Sequence, residues 1–190
     1  MMRFLLTPLL LLALAAPAHA QVAPEQYEQI YLTQQEAIKV AIPGADAVVP
    51  HPITPTAAEV KRVQRRLGRK LEEDRYTFFE GQKGGKTAGW AVVLEEKGKY
   101  YPITFIVGLT PEGEVADVAV MVYREKRGDA VKRRRFLDQF VGLDRKDPIM
   151  VNRDITHLTG STVSSWAIAA GVKKAVALFD VLRPRLEARP

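Results

Sequence analysis

Three apolar runs separated by hairpin-length gaps restrict this chain more than any other feature. Thr87 to Leu94, Tyr100 to Leu109 and Val115 to Tyr123 are rich in Val, Ile and aromatic residues. Gly98 stands in the first gap and Pro111-Glu112-Gly113 in the second. Gaps this short join antiparallel neighbours, because a parallel pair needs a crossover of about a dozen residues or more. The runs therefore predict a β-meander. Tyr76 to Phe79 is β-prone as well, and Gly81 to Gly85 reads as the turn that follows it. There is no strand–helix–strand alternation, no Gly-x-Gly-x-x-Gly, no Walker loop and no internal repeat. The expected class is α+β, an antiparallel meander sheet flanked by helices.

Helix signals sit on both sides of these strands. Thr33-Gln34-Gln35-Glu36 is a capping box opening a helix with Ala37, Ile38, Val40 and Ala41 apolar, stopped by Pro43-Gly44. Thr56-Ala57-Ala58-Glu59 is a second box, with a helix to about Leu67 and Gly68 as the stop. Its exposed face is basic, with Lys61, Arg62, Arg65 and Arg66. Val48 to Pro55 holds Pro50, Pro52 and Pro55 and is expected to be a loop. Phe136, Leu137, Phe140 and Val141 give the buried stripe of a short helix ended by Gly142. From Trp166 to Leu182, Ala169, Val172, Val176 and Phe179 recur at helical spacing, with Lys173 and Lys174 on the other side.

Met1-Met2-Arg3, the apolar run Phe4 to Ala16 and Ala18-His19-Ala20 have the form of a cleavable export leader. The run is too short to span a bilayer and contains Pro8, with Pro17 just beyond it. The expected division is a signal peptide over 1–20, an N-terminal helical segment over 21–75 and a cofactor domain over 76–190. A soluble protein in an extracytoplasmic, periplasmic space is expected. The chain has no cysteine, which rules out a disulfide, a thiolate metal site and an iron–sulfur cluster. Beyond the leader, His51 and His157 have no ligand spacing, so no metal site is expected. The formal charge is +6, and Arg124, Lys126, Arg127, Lys132, Arg133, Arg134 and Arg135 concentrate it. An exported chain without a base-stacking or groove-reading module is not expected to bind nucleic acid. The basic run can neutralise a phosphate, steer an acidic redox partner or an anionic membrane face, or stand solvated.

Between Ile155 and Ser165, six of eleven residues bear a hydroxyl: Thr156, Thr159, Ser161, Thr162, Ser164 and Ser165. This tract leads straight into the last helix. It can be an N-cap with spare hydroxyls, or a phosphate site made by the free N–H groups and the helix dipole. Thr159-Gly160-Ser161-Thr162-Val163-Ser164-Ser165 resembles the Ser/Thr-Gly-Ala-Thr-x-Ser/Thr-Ser motif of FMN-binding domains. These include the flavin subunits of sodium-pumping NADH:quinone reductase and of the Rnf ion-pumping complex. Tyr123-Arg124-Glu125 with Gly128, and Phe136 to Gly142 with Gln139, resemble two further blocks of that family in the same order.

The resemblance implies FMN as cofactor, joined through a phosphoester to Thr162 by a separate flavin transferase that uses FAD. It implies Thr159, Gly160, Ser161, Ser164 and Ser165 around the phosphate, with Arg124 and Glu125 from the upstream block. It also implies an electron carrier between membrane redox enzymes and an extracytoplasmic acceptor rather than a stand-alone catalyst. Trp90, Tyr100, Tyr101, Tyr123 and Trp166 are candidate platforms for the flavin ring, and His157 a candidate polar contact. Thr156 stands where the family usually has Asp, and Ser161 where it has Ala. Two alternatives therefore remain: non-covalent FMN binding, or a non-redox exported adaptor with a decayed flavin site.

Overall fold

A computed structural model describes residues 27–188, so the leader reading on residues 1–20 lies outside the described residues. The expected meander forms the middle of a six-stranded sheet. β1 (Gln29–Ile30), β2 (Ala47–Ile53), β3 (Tyr76–Lys83), β4 (Lys86–Lys97), β5 (Pro102–Leu109) and β6 (Val115–Tyr123) lie in the order β1-β6-β5-β4-β3-β2, every pair antiparallel. Both capping boxes form as written. Thr33 and Glu36 open α1 (Gln34–Ala41), and Thr56 and Glu59 open α2 (Ala57–Leu67), which Gly68 ends at φ +69°. A four-residue helix α3 (Arg134–Leu137) sits between two 3-10 turns, and α4 (Thr162–Glu187) is the long terminal helix.

The sheet is covered on both faces. α1 packs on one side against Phe79, Ala91, Ile106, Ala119 and Met121. α4 packs on the other against the main core, which includes Phe78, Trp90, Phe105, Val107, Leu109 and Val118. Because both faces are covered, every residue of β5 from Ile103 to Leu109 is buried, and the strand reads as a continuous apolar run. Each fully buried aliphatic or aromatic side chain here contributes about 1.5–3 kcal/mol of transfer free energy. Glycines set how closely the helices approach. A Cβ on Gly171 of α4 would lie 2.1 Å from Phe105 Cζ.

Several expectations are corrected. Residues 47–53 are a strand, not a loop. Pro50 and Pro52 fall on alternate positions of an edge strand, so the side lacking N–H groups faces away from β3 and the ladder survives. The expected N-terminal helical segment over 21–75 contains the short β1 as well. The turn after β3 is only Gly84-Gly85, both at positive φ, so the strand runs on to Lys83. Val141 is exposed, because the chain leaves the helical path after Phe140. α4 starts earlier and ends later than the apolar spacing indicated, carrying Pro184 inside it.

Lys174 is the sharpest reversal. It is 2% exposed, with its ammonium 2.8 Å from Glu73 and 2.9 Å from Glu96. Glu96 is also 2.5 Å from Arg69, so the network ties the end of α2 to β4 and α4. Breaking a buried pair costs about 3–5 kcal/mol. Here Glu96 keeps Arg69 and Glu73 reaches solvent, so Lys174→Ala is expected to cost about 2 kcal/mol, read as a lower urea midpoint. Burial pushes the Glu73 carboxyl up, but hydrogen bonding to Lys174 and its positive charge outweigh this and leave its pKa below the ordinary value. A depressed acid stabilises the fold above its unfolded-state pKa and loses that contribution as pH falls through the folded value. The stability gap between wild type and Lys174→Ala is therefore expected to narrow as urea titrations move from pH 7 into the acid range.

Candidate functional site

The hydroxyl-rich tract is built as a tight turn feeding α4. Gly160 holds φ +80° with nothing within 4 Å of where a Cβ would stand, so conformation rather than crowding calls for glycine. The Ser161 N–H donates to Leu158 O at 2.9 Å, and the Ser165 N–H to Ser161 O at 2.8 Å. Between them, the N–H groups of Thr162, Val163 and Ser164 open the helix with no backbone acceptor among the described residues. Ser161 caps nothing with its own side chain. The positive end of the dipole and three open donors thus converge on Thr162.

The remaining hydroxyls divide by role. Thr162 is exposed and lines a hollow of about 650 Å³ with Gly160, Ser161 and Ser164. Ser165 is fully buried. Its hydroxyl donates to Ser161 O at 2.9 Å and accepts the Leu158 N–H at 3.2 Å, so it locks the turn and its N–H is not available to a ligand. The Tyr123 hydroxyl donates to Arg127 O at 2.8 Å. Its one proton being used there, the 2.8 Å contact with Ser164 Oγ has the serine as donor. Burial raises the Tyr123 pKa, which keeps the phenol neutral and able to make that bond. Gly128, at φ +94°, fits against this pair, and a Cβ there would lie 2.5 Å from the Tyr123 hydroxyl. Ser164 therefore offers the hollow its N–H, not its hydroxyl. Tyr123→Phe removes both bonds and is expected to cost about 1–2 kcal/mol. Hydrogen exchange at residues 124–128 should quicken with it.

The opposite wall comes from the β4–β5 turn and the segment after β6. Tyr100, Tyr101 and Lys99 line it with Glu125, Lys126 and Arg127. Arg124 reaches the hollow but its guanidinium is engaged elsewhere. It lies 2.8 Å from Glu28 and 3.6 Å from Glu95, and it donates to Pro102 O and Thr104. The cations of this wall with no carboxylate partner among the described residues include Lys126 and Arg127, both exposed. Sequence reasoning placed them in the basic run without singling them out, although they directly follow Arg124-Glu125. The rest of the run is partly neutralised, Lys132 by Asp129 and Arg134 by Asp117 and Asp138.

Other candidates fall outside this hollow. Thr159, Thr156 and His157 line a separate one of about 490 Å³ with Arg133, Arg135 and Gln139. The Gln139 side chain accepts the Thr156 N–H at 2.8 Å and donates to Thr156 O at 3.2 Å, while His157 Nδ1 lies 3.1 Å from Asn152 Oδ1. Trp90 is a core residue, its ring tilted against those of His51 and Phe179. Trp166 is half-exposed over Met150 and Ala170, away from Thr162's hollow. Among the described residues no group of His, Asp and Glu could hold a metal, and no helix is long and apolar enough to cross a membrane.

Residues 98–177 match the family described as the FMN-binding domain. The chain is 34% identical over 108 residues to a component of the proton-translocating ferredoxin:NAD(+) oxidoreductase complex of Clostridium ljungdahlii, covering 52% of this chain and 57% of that one. It is 22% identical over 136 residues to a component of the Na(+)-translocating ferredoxin:NAD(+) oxidoreductase complex of Acetobacterium woodii, covering 66% of each. The chain thus spans less than two thirds of the length of either relative. Among solved structures, Shewanella oneidensis NqrC has the same fold, with a TM-score of 0.50 and 18% identity over 82% of this chain and 76% of that one.

Proposed function

We propose, from the premise that residues 98–177 are an FMN-binding domain, that this chain is a flavoprotein subunit that carries electrons, with FMN esterified to Thr162. The carrying observation is one exposed hydroxyl, at the first residue of α4, on a hollow of about 650 Å³. That volume lies within the range of small-molecule sites. The donor set suits a phosphate monoester or diester: three open N–H groups from Thr162 to Ser164, with Lys126 and Arg127 across the hollow. Tyr100 and Tyr101 supply aromatic surface for a ring. Bound there, FMN would supply one- and two-electron chemistry, and the protein supplies position and electrostatics.

Attachment needs a donor. The Thr162 oxygen would form a new P–O bond while the pyrophosphate link of FAD breaks, AMP leaves and the hydroxyl proton passes to solvent. A flavin transferase is the partner for that step. The redox partner is a neighbouring component of an ion-translocating oxidoreductase, by likeness to the two relatives drawn from ferredoxin:NAD(+) oxidoreductase complexes. An extracytoplasmic location rests on the leader-like start of the sequence.

Intact mass of protein co-expressed with a flavin transferase tests the proposal. An added mass equal to FMN less water is expected. Flavin lost on trichloroacetic acid precipitation would instead favour non-covalent binding, which the substitutions at Thr156 and Ser161 also suit. A colourless protein that takes up no FMN would favour the adaptor reading.

A further inference from the structure

We infer that Glu125 is a positioning residue, which holds the β4–β5 turn so that Tyr100 and Tyr101 form a fixed aromatic wall for the ring of a flavin anchored at Thr162. This rests on the proposed function above. Glu125 Oε1 accepts two backbone donors from that turn, the Tyr100 N–H at 2.8 Å and the Tyr101 N–H at 3.2 Å. The turn closes on itself through the Gly98 N–H and Tyr101 O at 2.9 Å. Gly98 shows how tightly the carboxylate is seated, since a Cβ there would lie 2.7 Å from Glu125 Oε1 and 2.9 Å from Tyr101 O. A carboxylate that accepts two N–H groups is a strong and directional anchor.

What this anchor secures is unusual. Tyr100 is 68% exposed and Tyr101 43%, so neither ring is held by a core. Large aromatics left in solvent on a short turn lose little by moving, unless the turn itself is fastened. The backbone bonds to Glu125 do that while leaving the rings free to face the hollow. Lys99 Nζ lies 5.0 Å from the centroid of the Tyr100 ring, within cation–π reach. Glu125 also follows Arg124, whose guanidinium donates to Pro102 O and Thr104 at the start of β5. Consecutive residues of opposite charge thus grip the turn and the start of the strand that follows it. On this reading Glu125 acts through the tyrosines and does not touch the cofactor.

Two measurements test it. In the flavin-free protein, Glu125→Ala should speed amide exchange at Tyr100 and Tyr101 about tenfold or more, the equivalent of losing one charge-assisted bond, while Glu125→Gln should restore much of the protection. In the flavin-loaded protein, wild type should show quenched flavin fluorescence, as expected of a ring stacked on tyrosine. Glu125→Ala and the double variant Tyr100→Leu/Tyr101→Leu should both relieve the quenching, and Glu125→Gln should largely keep it. Unchanged exchange in Glu125→Ala, or equal quenching in the double variant, overturns this inference and leaves the proposed function standing. Wild-type protein that takes up no FMN overturns both.

Discussion

Thr162→Ala is expected to fold like wild type and to carry no flavin through a denaturing gel. The threonine is the first residue of α4, exposed, and its side chain makes no hydrogen bond among the described residues. Surface changes of this kind usually stay within about 0.5 kcal/mol, so thermal unfolding should barely move. Thr162→Ser retains the oxygen and should retain the fluorescent band. The neighbours make poor substitutes. Ser161 is 4% exposed, Ser164 donates its proton to Tyr123, and Ser165 is sealed beneath the turn. Thr159 is exposed but lines the other hollow. A covalent band persisting in Thr162→Ala would move the attachment point and sink the assignment. Non-covalent affinity for FMN should fall far less, because the open N–H groups of 162–164 belong to the backbone.

Gly108→Ala is expected to be the most destabilising single-methyl change in the sheet, at about 3 kcal/mol or more. A Cβ at Gly108 would stand 2.2 Å from the carbonyl oxygen of Ala41 and 3.0 Å from its carbon. Those are backbone atoms at the end of α1, so no side chain can rotate aside. α1 must shift away from β5, and Ala37, Ile38 and Ala41 lose part of their packing against Ile106 and Ala119. Chemical denaturation with near-UV circular dichroism would report both the loss and any loosening. Gly160→Ala is the useful contrast. It meets a positive φ but no neighbouring atom, so about 1 kcal/mol is expected. Equal costs at the two glycines would contradict the close-approach account.

The elements that local chemistry defines were legible. Both capping boxes formed at Thr33 and Thr56, and the three apolar runs paired as a meander through the gaps at Gly98 and Gly113. What escaped depends on partners distant in sequence. Three prolines argue against a strand, but only an edge position makes Pro50 and Pro52 compatible with one, and the edge is a property of the finished sheet. Lys174 looked like a solvent residue because its counter-charges, Glu73 and Glu96, lie far upstream, Glu73 by 101 residues. The same limit applies at the site. The motif pointed to Thr162 and the turn at Gly160, but not to which hydroxyls face inward. Ser164 is claimed by Tyr123 across the fold, and Arg124 by Glu28 and Glu95. Lys126 and Arg127 could be found only by subtracting the cations that already have partners.

The two margins of the sheet carry a consequence for assembly. One margin is β2, whose prolines remove hydrogen-bond donors from its outward side, and the other is β1, only Gln29–Ile30 long. Among the described residues, neither of these two strands offers the long row of free amides that a foreign strand would need to zip on. Contact with another protein is thereby left to helix ends and connecting turns. Tyr100 and Thr162 stand in such places, one on a connecting turn and the other at a helix end, and both face the solvent.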